Sequence, residues 1–251
     1  MYPNIIFIDI DGTLVGDVLP HIAEWEIVNT LYKNKIGQFK INLINQLENG
    51  LLRPHFSTFI DTLKSNNVKY EIYIYTASEQ VWANVLIQCI EKVIGLKFNR
   101  PLFTRKHCII ERNSYAKSLE KVCSIIFPKM KSKYNFKNTS EVVSKSVLID
   151  NNKTLITNEE KLYLCPTYTY KHVFDVTKYI PNDVIYNNYP IIIEILKKYD
   201  LFPHNAETSS VSYNAFRYLY YAYLSVLIQN DLKSKKQRPD LFWSSIKLKL
   251  Q

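Results

Sequence analysis

A chain of 251 residues is long enough to bury one large core or two small ones. With 47% apolar and 22% charged residues, wholesale disorder is excluded. Lys and Arg number 32 against 23 Asp and Glu, a formal charge of +9 that permits an anionic partner without requiring one.

The excess of Lys over Arg, with abundant Asn, Ile and Tyr, points to a viral or otherwise AT-rich coding genome. The most apolar stretch, Tyr218 to Ile228, falls well short of the ~20 residues of a spanning helix. Asp9 and Asp11 interrupt the apolar run near the N-terminus, so neither a membrane segment nor a signal peptide is expected. The cysteines (Cys89, Cys108, Cys123, Cys165) form no CxxC pair and no His stands at metal-ligand spacing. That argues against a zinc site and a disulfide framework, and an intracellular protein, cytoplasmic or nuclear, is the default.

In chain order, Asn4 to Asp9 is a short continuous apolar run ending in a polar turn, the pattern of a strand buried on both faces of a parallel sheet. From Pro20 to Asn66 the spacing predicts helices: Ile22, Trp25, Ile27 and Leu31, then Ile41, Ile44 and Leu47, then Phe56, Phe59, Ile60 and Leu63. Tyr70 to Tyr75 predicts a second strand, and Val81 through Val93 a helix stopping at Gly95. Two short strands are expected at Pro101–Thr104 and Cys108–Glu111, and a helix at Leu119–Phe127. The Lys- and Asn-rich stretch Pro128–Ser140 reads as an exposed insertion. Ser146–Asp150 and Leu162–Cys165 complete the strands, and Ile191–Tyr199 and Tyr213–Leu232 are helical. Strands separated by helices imply a three-layer α/β domain with a mainly parallel sheet over residues 1–180. Residues 181–251 are then a helical extension packed on it.

Chemistry concentrates at strand ends. Asp9-Ile10-Asp11-Gly12-Thr13-Leu14 places two carboxylates at the carboxyl end of the first strand, where open α/β sheets bind ligands. Carboxylates this close predict bound Mg²⁺ or partial protonation. At the second strand end, the Thr76 hydroxyl and the backbone N–H groups from Ala77 onward form a phosphate cradle at a helix start. Asp150 ends another buried strand. If that strand neighbours the first, Asp9, Asp11 and Asp150 supply hard oxygen ligands for one divalent ion. A fixed cation is also needed, and Lys117 and Lys145 are both candidates on position alone.

As an ordered set, these motifs resemble the haloacid dehalogenase superfamily of aspartate-nucleophile phosphatases. They are more closely similar to the FCP/SCP (NLI-interacting factor-like) phosphatases of the RNA polymerase II C-terminal domain. The resemblance rests on Asp9-Ile10-Asp11-Gly12-Thr13, Arg53-Pro54-His55-Phe56 with Phe59, Tyr75-Thr76-Ala77-Ser78, Leu102-Phe103-Thr104-Arg105 through Cys108, Tyr115-Ala116-Lys117-Ser118-Leu119 and Ile149-Asp150-Asn151. It spans residues 4 to about 180. The group usually carries Glu where Gly12 stands, and Ser-Pro where Asn152-Lys153 stands.

The resemblance implies a HAD-like fold without a large cap. It selects Lys117 over Lys145, and it implies Asp9 as nucleophile and Asp11 as general acid and base. Mg²⁺ is implied on Asp9, the Asp11 carbonyl and Asp150. Thr76, Ala77 and Lys117 would hold the phosphate, with Asn151 and Arg53 in support, Asn151 orienting Asp150 or a metal-bound water. The implied substrate is a phosphorylated protein or peptide. Two other readings stand beside it: a nucleic-acid 3′-end phosphatase, favoured by the positive charge, and a catalytically silent binding or scaffold protein. An aromatic face of Phe216, Tyr218 and Tyr221 is a candidate for a homodimer contact.

Overall fold

A computed structural model describes residues 2–65, 68–111, 114–153, 155, 157–170, 175, 177, 180–204, 208, 211–234 and 240–246. The elements in chain order are β1 (Asn4–Ile8), α1 (Leu19–Leu31), α2 (Ile36–Gln46), α3 (Phe56–Ser65), β2 (Tyr70–Ile74), α4 (Gln80–Ile94), β3 (Ile109–Glu111) and β4 (Ser114–Ala116). They continue with α5 (Leu119–Tyr134), α6 (Thr139–Ser144), β5 (Ser146–Asp150), β6 (Leu162–Leu164), α7 (Asn182–Lys198), α8 (Tyr213–Ser234) and α9 (Phe242–Ser245). No helix among the described residues is long and apolar enough to cross a membrane.

The chain divides into two compact units: Met1–Gly16, Leu52–Tyr168 and Pro239–Gln251 form one, and Asp17–Leu51 with Thr169–Arg238 the other. This division does not follow the expected boundary near residue 180. The first two helices cluster with the later ones, and the last residues return to the first unit.

In the first unit the sheet has the order β2-β1-β5-β6, every pairing parallel. Alternation along the strands decides what faces where. Ile5 and Phe7, with Tyr73, Tyr75 and Leu148, share one core with Leu119, Val122, Cys123, Ile126 and Met130 of α5 and Val142 and Val143 of α6. Ile6, Ile8, Ile74 and Ile149, on the opposite face, are also fully buried. Burial on both faces is why these strands read as unbroken apolar runs. The helix after β2 ends where the sequence predicts, at Gly95, whose left-handed φ of 63° closes α4.

One expected strand is absent, and the structure adds elements that the sequence pattern does not show. Pro101–Thr104 forms no strand, only a single parallel bridge from Phe103 to Tyr75. Ser114–Ala116 is a strand, pairing antiparallel with β3. The Lys- and Asn-rich stretch is largely exposed but helical, because α5 runs through Pro128 to Tyr134 and α6 follows. A proline inside a helix costs about 3 kcal/mol. Here Ile126 and Met130 on either side of it are buried, as are Phe136, Val142 and Val143 further on. The polar residues that suggested a loop occupy the helix caps: Asn135 adopts the left-handed C-cap of α5, and the Asn138 side chain accepts from Glu141 N–H to start α6.

In the second unit α1 packs on α2 and α7, and α7 packs on α8. The expected aromatic face of α8 splits: Phe216 is buried against Tyr189 and Tyr220, whereas Tyr218 and Tyr221 are exposed.

Phe7 is fully buried and meets Tyr73 and Phe103 at ring-centroid distances of 5.5 and 5.8 Å. Replacing Phe7 with Ala is expected to lower unfolding stability by about 3–5 kcal/mol in urea titration; a change below about 1 kcal/mol would mean that this core is not packed as described.

Candidate active site

The register of the sheet assembles the acidic pair. Ile8 pairs with Ile149, so Asp9 and Asp150 follow side by side at the carboxyl ends of β1 and β5. Asp9 lies two residues beyond Phe7 and Asp150 two beyond Leu148, so the period of two turns both carboxylates toward the α5 side of the sheet. Lys117 arrives from that side, one residue before Ser118, the N-cap of α5. Its Nζ donates to Asp9 Oδ1 at 2.5 Å and to Asp150 Oδ2 at 2.7 Å. Asp9, Lys117 and Asp150 are 5%, 1% and 1% exposed. Lys145, by contrast, precedes β5 at the opposite end of the strand from Asp150.

The electrostatics follow from this burial. Asp9 is pushed up to about 7, chiefly by loss of solvent; repulsion from Asp150 and Asp11 adds to the rise and Lys117 opposes it. Burial on its own would lower Lys117, but the two carboxylates outweigh it and hold the ammonium above its ordinary range. Lys117 also lies 5.6 Å from the Tyr75 ring centroid. The Tyr75 hydroxyl accepts from Ser118 N–H at 3.1 Å and donates to the His107 carbonyl at 3.2 Å, which fixes the backbone next to Lys117.

Asp11 is held from the second strand end. Its Oδ2 accepts from Ser78 Oγ at 2.7 Å and from Thr76 Oγ1 at 3.4 Å. The helix expected to begin directly after Thr76 starts three residues later, with Glu79 as the N-cap of α4. Residues 76–79 are therefore a loop, in which Ser78 N–H donates to Thr76 Oγ1 at 3.1 Å. Ala77 lies within it, its carbonyl accepting from Arg105 Nε at 2.9 Å.

Thr13 ties the two acidic loops together. Its Oγ1 accepts from Asn151 N–H at 3.0 Å and donates to Asn151 Oδ1 at 3.1 Å. The Asn151 side chain thus faces Thr13, and Thr167 at 3.2 Å, while Asp150 Oδ1 accepts from Asn152 N–H at 2.8 Å. Gly12 has a φ of +75°, and a Cβ there would stand 2.7 Å from Asn151 Nδ2. The Glu of the resembled group would strain this loop, so glycine suits this backbone. Arg53 does not reach the acidic cluster; its guanidinium meets the Thr13 carbonyl, Cys165 and Asp240 instead.

The structure therefore brings Asp9, Lys117 and Asp150 into direct contact, with Asp11 beside Thr76 and Ser78. Ser78, Thr13 and Tyr75 were not singled out by sequence. The hydroxyl two residues past Thr76 and the threonine of the Asp-x-Asp-Gly-Thr run were the available signals.

Among the described residues, no three His, Cys, Asp or Glu side chains converge as a metal cage. The Asp11 carboxylate is turned toward its hydroxyl partners, so three carboxylates around one ion is not the arrangement found. What fits a hard divalent cation is the pair Asp9 and Asp150, oxygen donors that already share a cation in the Lys117 ammonium.

The family model of NLI interacting factor-like phosphatases matches residues 4–180. No curated protein matches the chain. Among solved structures, it is similar to fission yeast RNA polymerase II CTD phosphatase Fcp1 bound to beryllium fluoride, with 14% identity, a TM-score of 0.39 and 92% of this chain covered. The alignment takes in 52% of that structure, so this chain spans about half its length. A phospho-aspartyl intermediate analogue of phosphoserine phosphatase matches with 14% identity and a TM-score of 0.30, over 59% of this chain and 78% of the other.

Lys117→Met removes the one cation between two buried carboxylates. It is expected to lower stability at neutral pH by about 3–5 kcal/mol in denaturant titration. Wild-type stability in this variant would contradict the ion triad.

Proposed function

The chain belongs to the NLI interacting factor-like phosphatases, and from that premise we propose that it is a Mg²⁺-dependent phosphomonoesterase acting through an aspartyl-phosphate on Asp9. The observation that carries the reading is the Lys117 ammonium shared by Asp9 and Asp150 at adjacent strand ends, 2.5 and 2.7 Å away. The contact orients the Asp9 carboxylate with one oxygen occupied and the other left to attack.

In the first half-reaction an Asp9 carboxylate oxygen attacks phosphorus, the bond from phosphorus to the ester oxygen breaks, and Asp11 gives its proton to the departing alkoxide. In the second, water attacks the phosphorus of the acyl phosphate. Asp11 takes a proton from that water, inorganic phosphate leaves, and Asp9 is regenerated. The hydroxyl of Ser78, 2.7 Å from Asp11 Oδ2, holds this acid in place through both steps. Lys117 has three N–H donors, two of them committed to carboxylates. The third, with the Thr76 hydroxyl and the loop at Ala77, would bind the phosphoryl oxygens. Thr13 and Asn151 keep the two acidic loops in register. Mg²⁺, held by Asp9, Asp150 and the Asp11 carbonyl, would supply the positive charge that a phosphate dianion needs in order to approach these carboxylates.

The substrate class proposed is phosphoserine or phosphothreonine in an extended peptide. Between α4 and α5 the described residues form a 3-10 turn at Arg105–His107 and the short hairpin of β3 and β4, too little chain for a folded lid domain. A phosphate on a macromolecule can enter such a site more readily than an enclosed one.

Asp9→Asn and Asp11→Asn are each expected to reduce turnover of an aryl phosphate in Mg²⁺ by at least about a thousandfold, with circular dichroism unchanged. Activity surviving in the purified Asp9→Asn protein rules out this nucleophile. Compared side by side, phosphopeptides are expected to be turned over in preference to small sugar phosphates. A preference for the sugars, or for 3′-phosphorylated oligonucleotides, would overturn the substrate class.

A further inference from the structure

Among the described residues Arg53 is the largest fully buried cation, and the proposed chemistry leaves it unused. Its side chain is fully enclosed, and its carboxylate partner is Asp240, well beyond the residues that match the family. Asp240 Oδ2 accepts from Arg53 Nε at 3.1 Å and forms an ion pair with the guanidinium, 2.9 Å from Nη2. The guanidinium is further confined by the Phe242 ring, 4.7 Å away, and the Tyr168 ring, 5.6 Å away. Its other terminal nitrogen points at the Thr13 carbonyl, 3.4 Å away, while Arg53 N–H donates to the Leu14 carbonyl at 2.8 Å.

A segment of the chain's end is built to place that carboxylate. Trp243 is buried, with ring centroids 4.9 Å from both Phe56 and Phe59, so α9 is docked on α3. Phe242 N–H donates to Asp240 Oδ1 at 3.0 Å, fixing the turn that aims Oδ2 at Arg53. The line of contacts then runs from Asp240 to Arg53, to the backbone at Thr13 and Leu14, and through the Thr13 hydroxyl to Asn151, next to Asp150. A buried guanidinium whose carboxylate is removed must move toward water or draw on other acceptors. The acceptors within its reach include the loop that carries Asp11.

We propose that Asp240 is a positioning residue of the active site: by holding Arg53, the docked segment Asp240–Ser245 fixes the Gly12–Leu14 loop, so catalysis depends on residues outside the family's own span. The claim rests on the phosphatase reading for its effect on turnover, but the loop itself can be observed without any substrate.

The test pairs aryl phosphate kinetics in Mg²⁺ with hydrogen exchange of the peptide spanning residues 10–15, on the full chain. In Asp240→Asn, exchange in that peptide should rise while β1 and α4 stay protected, and kcat should fall about a hundredfold with KM within about twofold. Asp240→Glu, which restores the carboxylate, should recover both. Val142→Ala in α6, which lowers stability away from the site, should change neither. Should Asp240→Asn fail to fold, Trp243→Phe loosens the dock while retaining Asp240, and faster exchange at residues 10–15 is again the expected result. Wild-type exchange at residues 10–15 in the substituted protein, or the same loosening in Val142→Ala, overturns the proposal. If the wild type turns over no phosphate ester, the phosphatase reading fails, and the exchange result still decides the role of Asp240.

Discussion

An ammonium group withdrawn from water and placed between two carboxylates is costly unless the geometry is close and every partner is committed. Lys117 meets that condition through two contacts, Asp9 at 2.5 Å and Asp150 at 2.7 Å, and the surrounding structure can be understood as what maintains them. The parallel pairing of β1 and β5 sets the carboxylates abreast. The core beneath them, from Phe7 to Met130, sets the distance between the sheet and α5. The Tyr75 hydroxyl, on Ser118 N–H, holds the start of α5 so that Lys117 cannot withdraw. Without these supports the same three side chains would be solvated separately, and the pair of acids would lose the asymmetry that leaves one oxygen of Asp9 available.

Around this fixed triad lies a set of neutral hydroxyl contacts. Ser78 and Thr76 hold Asp11, and Thr13 joins the first acidic loop to Asn151. Hydroxyls suit both places because they can donate to one group while accepting from another. Thr13 does so with the two groups of Asn151, and Thr76 accepts from Ser78 N–H while it donates to Asp11. The Asp11 carboxylate beside the triad is thus held by neutral hydroxyl donors.

The strands and their ends were legible because their signals are local. Apolar runs closed by Asp9 and Asp150 mark β1 and β5, and Gly95 marks the end of α4. The three acids and Lys117 stand in an order that specifies a chemistry. What escaped was decided by tertiary contact. Pro128 signals a break, but burial of Ile126 and Met130 keeps α5 intact. Ser114–Ala116 is too short to show a period of its own and becomes a strand only by pairing with β3. The helices of residues 17–51 cluster with those after residue 169, α1 packing on α7, a pairing that sequence proximity does not show. Arg53 was legible as a member of a motif, but its partner is not: Asp240 lies in a polar stretch with no local pattern, and only the folded chain brings the two together.

On the proposed mechanism the Asp9 carboxylate becomes covalently phosphorylated during turnover. Borohydride reduces an acyl phosphate to the alcohol, so quenching the wild-type protein with it during steady-state hydrolysis of an aryl phosphate in Mg²⁺ leaves a mark that peptide mass spectrometry can locate. Homoserine is expected at position 9, absent when substrate or Mg²⁺ is withheld. Turnover that continues with position 9 unmodified, or with the mark on another residue, would contradict it.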